Sequence, residues 1–442
     1  MTGATTEIRG SIAVIRFSHP PVNSLAHLMR SAIMDELGAA LADDSIAAVV
    51  LTGEGRAFCA GAEITEFNTP AIGASPTAHD IWAAIDASPK PVIGAVNGLA
   101  MGGGLEFAMT CHYRVAVADA QLALPEVKLG LLPGAGGTQR LPRAVGVEKA
   151  LEMITAGEPA RAEKFLGTSL VDRVARSAQE LIDEAVAFAH ELIGRRPLRR
   201  LRDVELRVEA PEAYFSEARR QVAKRFPGYV APQKIVDCIE AAATLPFDEG
   251  IRVERAKFQE VVNGEQSKAM RRAFFGERRV ARIDAFPDVA KLIGERLFAR
   301  YREEGLWLRA EGVAPERVDR ALEAWGMARG PFAGAVPEAT AASSQSMLPD
   351  EEIVERCILA MVNDAALMLE VGLVDSAVEI DVACLRECGF PRFRGGPLFY
   401  ANTLGLDEVV RALSRHASKS GDDAWTPSRL LAKMAQIGVL FD

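Results

Sequence analysis

The sequence predicts an α/β domain followed by an all-α C-terminal region. Three observations predict it. The first third alternates short apolar runs with helical spacing and is rich in glycine. Beyond about position 145 glycine thins out and helical periodicity takes over. The last third carries one helical pattern twice.

The elements follow in order. Ser11–Phe17 alternates like a strand, and Leu28–Ala42 has helical spacing. Ala47–Thr52 and Pro91–Val96 read as short buried strands, with turn chemistry at Gly53, Gly55, Asn97 and Gly98. Arg114–Ala118 is a further strand. Phe226–Arg279 reads as two helices joined near Leu245-Pro246-Phe247, and almost everything after it is helical. Ala333–Met347 is small, polar and non-periodic, which predicts a linker. In the repeat, Val318-Asp319-Arg320-Ala321-Leu322 leads to Gly326-Met327 and Gly330-Pro331-Phe332. Ile380-Asp381-Val382-Ala383-Cys384 leads to Gly389-Phe390 and Gly396-Pro397-Leu398. Two copies of one helical module would pack face to face.

At 442 residues and 49% apolar content, the chain can build two or three cores, at roughly 150 residues per domain. With 51 basic against 60 acidic residues the net charge is −9, which argues against nucleic acid or an anionic membrane as main partner. No apolar run is long enough for a signal sequence or a membrane span. Six scattered cysteines fit a reducing, cytoplasmic setting.

The run Asn97–Arg143 carries the chemistry. Gly102-Gly103-Gly104 opens a helix, where missing Cβ atoms and free N–H groups can meet a developing oxyanion. Glu106 and Glu126 lie in otherwise apolar sequence, and burial there would raise their pKa toward the range useful for proton transfer. Taken singly, each feature reads more readily as tight packing or a helix first turn. Cys384 and Cys388 read as core thiols without metal partners, and His416 as a surface residue. Arg195-Arg196 and Arg199-Arg200 read first as solvated helix surface.

The whole run, with Arg56–Ile64 upstream, resembles the crotonase (enoyl-CoA hydratase/isomerase) family. The resemblance implies an α/β crotonase fold over residues 1–195. It implies Ala62 and Gly103 N–H groups as an oxyanion hole, Glu106 and Glu126 as catalytic acids and bases, and Gly134 as a water-positioning amide. It implies Ala60 as a coenzyme A contact; the family commonly has Asp where this chain has Glu63. Residues 196–285 resemble the linker helices of β-oxidation multifunctional enzymes, expected to pack on the hydratase domain. Residues 286–335 and 348–442 resemble the paired C-terminal helical modules of 3-hydroxyacyl-CoA dehydrogenases, the first of them shortened. The NAD-binding Rossmann domain of those enzymes has no counterpart: Gly53-Glu54-Gly55 and Gly134-Ala135-Gly136 lack the third glycine in context. Glu295 stands where an Asn is expected.

The expectation is therefore hydration of trans-2-enoyl-CoA, with Δ3-Δ2 isomerisation as a second use of the same carboxyls. No metal, NAD or other cofactor is expected, since coenzyme A arrives with the substrate, and no dehydrogenase activity. The alternative is a scaffold whose helical half docks a separate dehydrogenase or thiolase.

Overall fold

The computed structural model describes residues 2–66, 69–334 and 348–442. The expected linker falls almost wholly outside them. The chain divides into two compact units, Met1–Phe226 with Val230–Val261, and Pro227–Tyr229 with Val262–Asp442. The boundary at Val261–Val262 lies inside the stretch 196–285 read from sequence as one linker block.

In the first unit a hairpin of β1 (Gly3–Arg9) and β2 (Ile12–Ser18) leads to α1 (His27–Ala42), β3 (Ala48–Gly53) and β4 (Ala57–Cys59). Next come α2 (Ala78–Ala87), β5 (Val92–Val96), β6 (Leu99–Met101) and α3 (Gly103–Thr110). They are followed by β7 (Tyr113–Val117), β8 (Gln121–Ala123), a 3₁₀ turn (Glu126–Leu129), α4 (Gly137–Val145) and α5 (Val147–Ala156). The unit closes with β9 (Ala160–Arg161), β10 (Arg173–Ala175), α6 (Ala178–Leu192), α7 (Pro211–Arg225), α8 (Ala231–Thr244) and α9 (Phe247–Val262).

The strands form two sheets. The larger has the order β1-β2-β3-β5-β7-β10, parallel except for the opening hairpin. Its β3 and β5 are buried throughout, which is why they read as unbroken apolar runs rather than alternating ones. The smaller sheet has the order β4-β6-β8-β9, with β4, β6 and β8 parallel. Strand β1 was not foreseen. It is an edge strand, and its half-exposed GATTEIR sequence has no apolar stripe to announce it.

The second unit is helical: α10 (Glu265–Val280), α11 (Phe286–Ala310), α12 (Pro315–Trp325), α13 (Asp350–Glu370), α14 (Ala377–Ala383), α15 (Pro397–Leu404), α16 (Leu406–Ser420) and α17 (Arg429–Ile437). The stretch Phe226–Arg279 thus holds three helices rather than two. The extra break comes at Gly264, whose extended backbone ends the helical run.

The near-repeat is one local geometry used twice. Asp319 Oδ1 accepts the Phe332 N–H at 3.0 Å, and Asp381 Oδ1 accepts the Leu398 N–H at 2.8 Å. In each case the acceptor reaches the second residue after a glycine, and a Cβ on Gly330 or Gly396 would strike that aspartate at 2.1 or 2.5 Å. Glycine is needed there because the aspartate lies against the backbone itself.

Three expectations about side chains need comment. His416 is buried, not superficial: its Nε2 lies 2.8 Å from Glu355 Oε1 and its ring packs on Trp425 at 4.8 Å. The polar SRHASKS sequence hid this, because only one face of α16 is covered. Arg199 donates to Asp172 Oδ1 at 2.5 Å and lies over the Tyr113 ring, so it is a structural clamp rather than free helix surface. Cys384 and Cys388 sit in a π turn (Cys384–Cys388), both buried, and no cluster of His, Cys, Asp and Glu among the described residues could hold a metal.

Candidate functional site

The three parallel strands of the smaller sheet end at one place. β4 runs out into Ala60-Gly61-Ala62, β6 into Gly102-Gly103-Gly104, and β8 into Leu124-Pro125-Glu126. The carboxyl ends of parallel strands are where open α/β folds bind ligands.

Glycine is required at two of these positions. Gly61 has φ +93°, and a Cβ there would lie 2.7 Å from the Met101 carbonyl. At Gly104 a Cβ would lie 1.9 Å from the Cys59 carbonyl, so α3 can approach β4 only without a side chain. That approach places the Ala62 and Gly103 backbones together: the Cβ position of Gly103 is 3.5 Å from Ala62 N. Among the described residues neither N–H has an acceptor. Two adjacent free donors at a helix N-terminus suit a developing negative oxygen. Ala60, just before them, donates its N–H to the Val22 carbonyl at 3.0 Å.

Glu106 lies on the first turn of α3 and is 2% exposed. Its Oε1 accepts the N–H groups of Ala135 at 2.8 Å and Gly137 at 2.7 Å. Burial pushes its pKa up, against the pull of those two N–H groups and of Arg140. Glu126 follows Pro125 in the 3₁₀ turn, beside the Gly102 backbone. Its Oε2 is buried with no hydrogen-bond partner among the described residues. Burial raises its pKa well above the carboxylate range, and the charge of Glu106 adds to the effect. Gly134 is half-buried, and the Phe258 ring stands 2.8 Å from where its Cβ would be. Glu63 is a partnered carboxylate. It accepts the Ser24 hydroxyl at 2.5 Å and the Thr65 hydroxyl at 2.8 Å; burial raises its pKa, but these bonds outweigh it and hold it low.

An aromatic floor supports the site. Phe107 contacts Phe17 and Phe58, and Trp82 stacks on it at 5.0 Å with a 7° tilt. Trp82 Nε1 then donates to the Ala135 carbonyl at 2.9 Å, anchoring the loop that holds Glu106.

One carboxyl was missed from sequence. Glu254, on α9, is 1% exposed. Its Oε1 accepts the Gly136 N–H at 2.7 Å and its Oε2 accepts the Thr138 N–H at 3.0 Å and hydroxyl at 2.5 Å. Burial and the nearby Glu106 raise its pKa. Gly250, Ile251, Glu254 and Phe258 share the helix face turned to this loop, and a Cβ on Gly250 would strike Gln139 Oε1 at 2.1 Å. A mid-helix glycine one turn ahead of a glutamate was the available signal.

The sequence profile of the enoyl-CoA hydratase/isomerase family matches residues 7–227, half of the chain. That of the 3-hydroxyacyl-CoA dehydrogenase C-terminal domain matches residues 353–441. The chain is 41% identical over 274 residues to a peroxisomal bifunctional enzyme of Danio rerio, covering 61% of this chain and 37% of the relative. It is 37% identical over 277 residues to the human enzyme of that name, covering 62% and 38%. It is 36% identical over 296 residues to the fatty acid oxidation complex subunit alpha of Shewanella loihica, covering 63% and 42%. The chain spans about two fifths of the length of these relatives.

Proposed function

Because the chain belongs to the enoyl-CoA hydratase/isomerase family, we propose that it adds water to trans-2-enoyl-CoA thioesters to give 3-hydroxyacyl-CoA. The observation that carries the reading is the convergence of β4, β6 and β8, which brings two N–H groups without acceptors among the described residues, the buried Glu106 and the enclosed Oε2 of Glu126 to one strand end.

In this reading the thioester oxygen sits between the Ala62 and Gly103 N–H groups. Water attack at C3 drives charge onto that oxygen as an enolate. Losing one such donor typically costs about 3 kcal/mol of barrier. The two carboxyls divide the protons by environment. Glu106 accepts two N–H bonds, which favour its carboxylate, so it takes the water proton. Glu126 has a buried oxygen without a partner and a negative neighbour, which favour its acid form, so it delivers the proton to C2. The water oxygen bonds to C3, one proton passes to Glu106 and another leaves Glu126. A proton then passes from Glu106 back to Glu126, directly or through solvent, and restores the starting state. The Gly134 amide, whose N–H has no acceptor among the described residues, helps hold the water, and Ala60 lies along the coenzyme A chain.

The same carboxyls can pass a proton between C4 and C2, giving Δ3-Δ2 isomerisation. Only water and protons move, so the reaction calls for no redox cofactor, and the Ala62 and Gly103 N–H pair polarises the thioester in place of a metal. Six buried, free thiols support a reducing, cytoplasmic setting, and no helix among the described residues is long and apolar enough to cross a membrane. The test is loss of conjugated absorbance when crotonyl-CoA is added. A wild-type chain without turnover, or full activity after Glu126→Gln, overturns the reading.

A further inference from the structure

The backbone of the Gly134–Thr138 loop offers four successive N–H groups to two acids in strict alternation. Ala135 and Gly137 donate to Glu106, and Gly136 and Thr138 donate to Glu254. The N-cap of α4 is Gly136, with φ +101°, and this left-handed residue turns alternate N–H groups to opposite sides. A loop gripped from one side alone could rotate. Gripped from both sides, it holds the two donors on Glu106 in fixed aim.

We propose that Glu254 is a positioning residue for the hydration reaction, which clamps the Gly134–Thr138 loop from behind and shares its proton equilibrium with Glu106 through that loop. The inference rests on the hydratase reading of the site. It extends the working machinery onto α9, beyond residues 7–227 where the family profile matches.

The chemistry is that of two acids at one helix N-terminus. Four N–H groups and the helix dipole favour negative charge there, but two full carboxylates repel each other. The charge of Glu106 raises the pKa of Glu254 alongside burial, and because repulsion between two charges is mutual, an ionised Glu254 makes Glu106 harder to ionise. Other groups face the pair from every side. Glu126 comes from the 3₁₀ turn and feels the charge of both. Arg140 of α4 lowers the pKa of Glu106 and is itself held by Asp86 of α2 at 2.7 Å. Cys238 of α8 is a neutral thiol, kept protonated by burial and by Glu254. No cation binds Glu254 directly among the described residues, so the loop amides and the Thr138 hydroxyl carry its charge.

The test compares wild type, Glu254→Gln and Glu254→Asp with crotonyl-CoA across pH 5–9. Glu254→Gln removes the neighbouring charge and sets an amide N–H₂ against the Thr138 N–H. Its kcat should fall about tenfold with KM unchanged, and the acid limb of the kcat profile should move about one pH unit lower. Glu254→Asp keeps the charge on a shorter arm: kcat falls, but the acid limb stays. A purely structural role predicts no movement of the limb, and an unmoved limb in folded Glu254→Gln overturns the proposal. Infrared titration of the protonated carboxyl stretch in the wild-type chain needs no turnover and no variant. It should show two overlapping, mutually shifted steps; independent steps overturn the coupling. If wild type fails to hydrate crotonyl-CoA while the infrared steps are coupled, the hydratase reading falls and the shared proton equilibrium stands.

Discussion

Glu126 in the first unit, half-buried with its Oε2 enclosed, and Asp381 in the second, fully buried, are both acids with raised pKa, and they differ in what their oxygens find. Asp381 meets the Leu398 and Phe399 N–H groups and the Arg272 guanidinium, so each of its two oxygens has a donor. Burial still lifts its pKa to about 7. Glu126 Oε2 meets no donor among the described residues. The lesson is that a displaced pKa by itself marks burial, whereas an unpartnered buried oxygen at a strand end beside two free N–H groups marks a place where a ligand fits. Asp381 holds a helix start; in the proposed reading Glu126 keeps its oxygen for the reactant.

The strongest way to break this contrast is Glu126→Gln. Crotonyl-CoA turnover should fall 10²–10⁴-fold, roughly the worth of general acid–base catalysis, while denaturant midpoint stays within error. A similar loss of stability would make Glu126 a second Asp381.

Gly104→Ala should remove both properties at once. Its Cβ has only 1.9 Å to the Cys59 carbonyl, so the cost exceeds about 3 kcal/mol. Turnover and urea midpoint should fall together.

Asp381→Asn should do the reverse of Glu126→Gln, sparing turnover and weakening the helical unit. Its folded pKa, about 7, lies above the ordinary 3.8. The stabilisation it carries is therefore fully present below pH 4 and lost as pH rises through 7. Wild-type stability should decline over that window, and the deficit of the variant should shrink, as read by urea denaturation at pH 4 and pH 8. A deficit that grows with pH would reverse the sign.

The smallest effect calibrates the others. Thr77 caps α2 in the first unit by accepting the Asp80 N–H, and Ser428 caps α17 in the second by accepting the Leu431 N–H. Either residue changed to Ala should cost about 1 kcal/mol in urea denaturation and leave turnover alone.

Legibility in the sequence followed the same divide. Glu106 and Glu126 stood out because each is a charge inside an apolar stretch, and the glycine triplet stood out as a run. The buried strands were visible as apolar blocks. Glu254 was hidden for the opposite reason. It lies in FDEGIRVERAKFQEVV among charges that point to solvent, and beyond the glycine one turn ahead of it, loop amides supplied by distant sequence distinguish it. His416 was hidden the same way. Local sequence reports a residue's own neighbours, whereas burial of a lone polar group depends on which element arrives to cover it.

Helix α9 has a consequence for dissection of the chain. The match to the family ends at residue 227, yet Ile251, Glu254 and Phe258 cover the loop from a helix that begins at Phe247. A fragment cut at the family border would leave the Gly136 and Thr138 amides bare and the Gly134 backbone unroofed. Such a fragment would need a borrowed helix, from a second copy or a supplied peptide, to behave as the whole chain does. The folded module is thus longer than its family match, and any transplant of it should carry the passage through Val261.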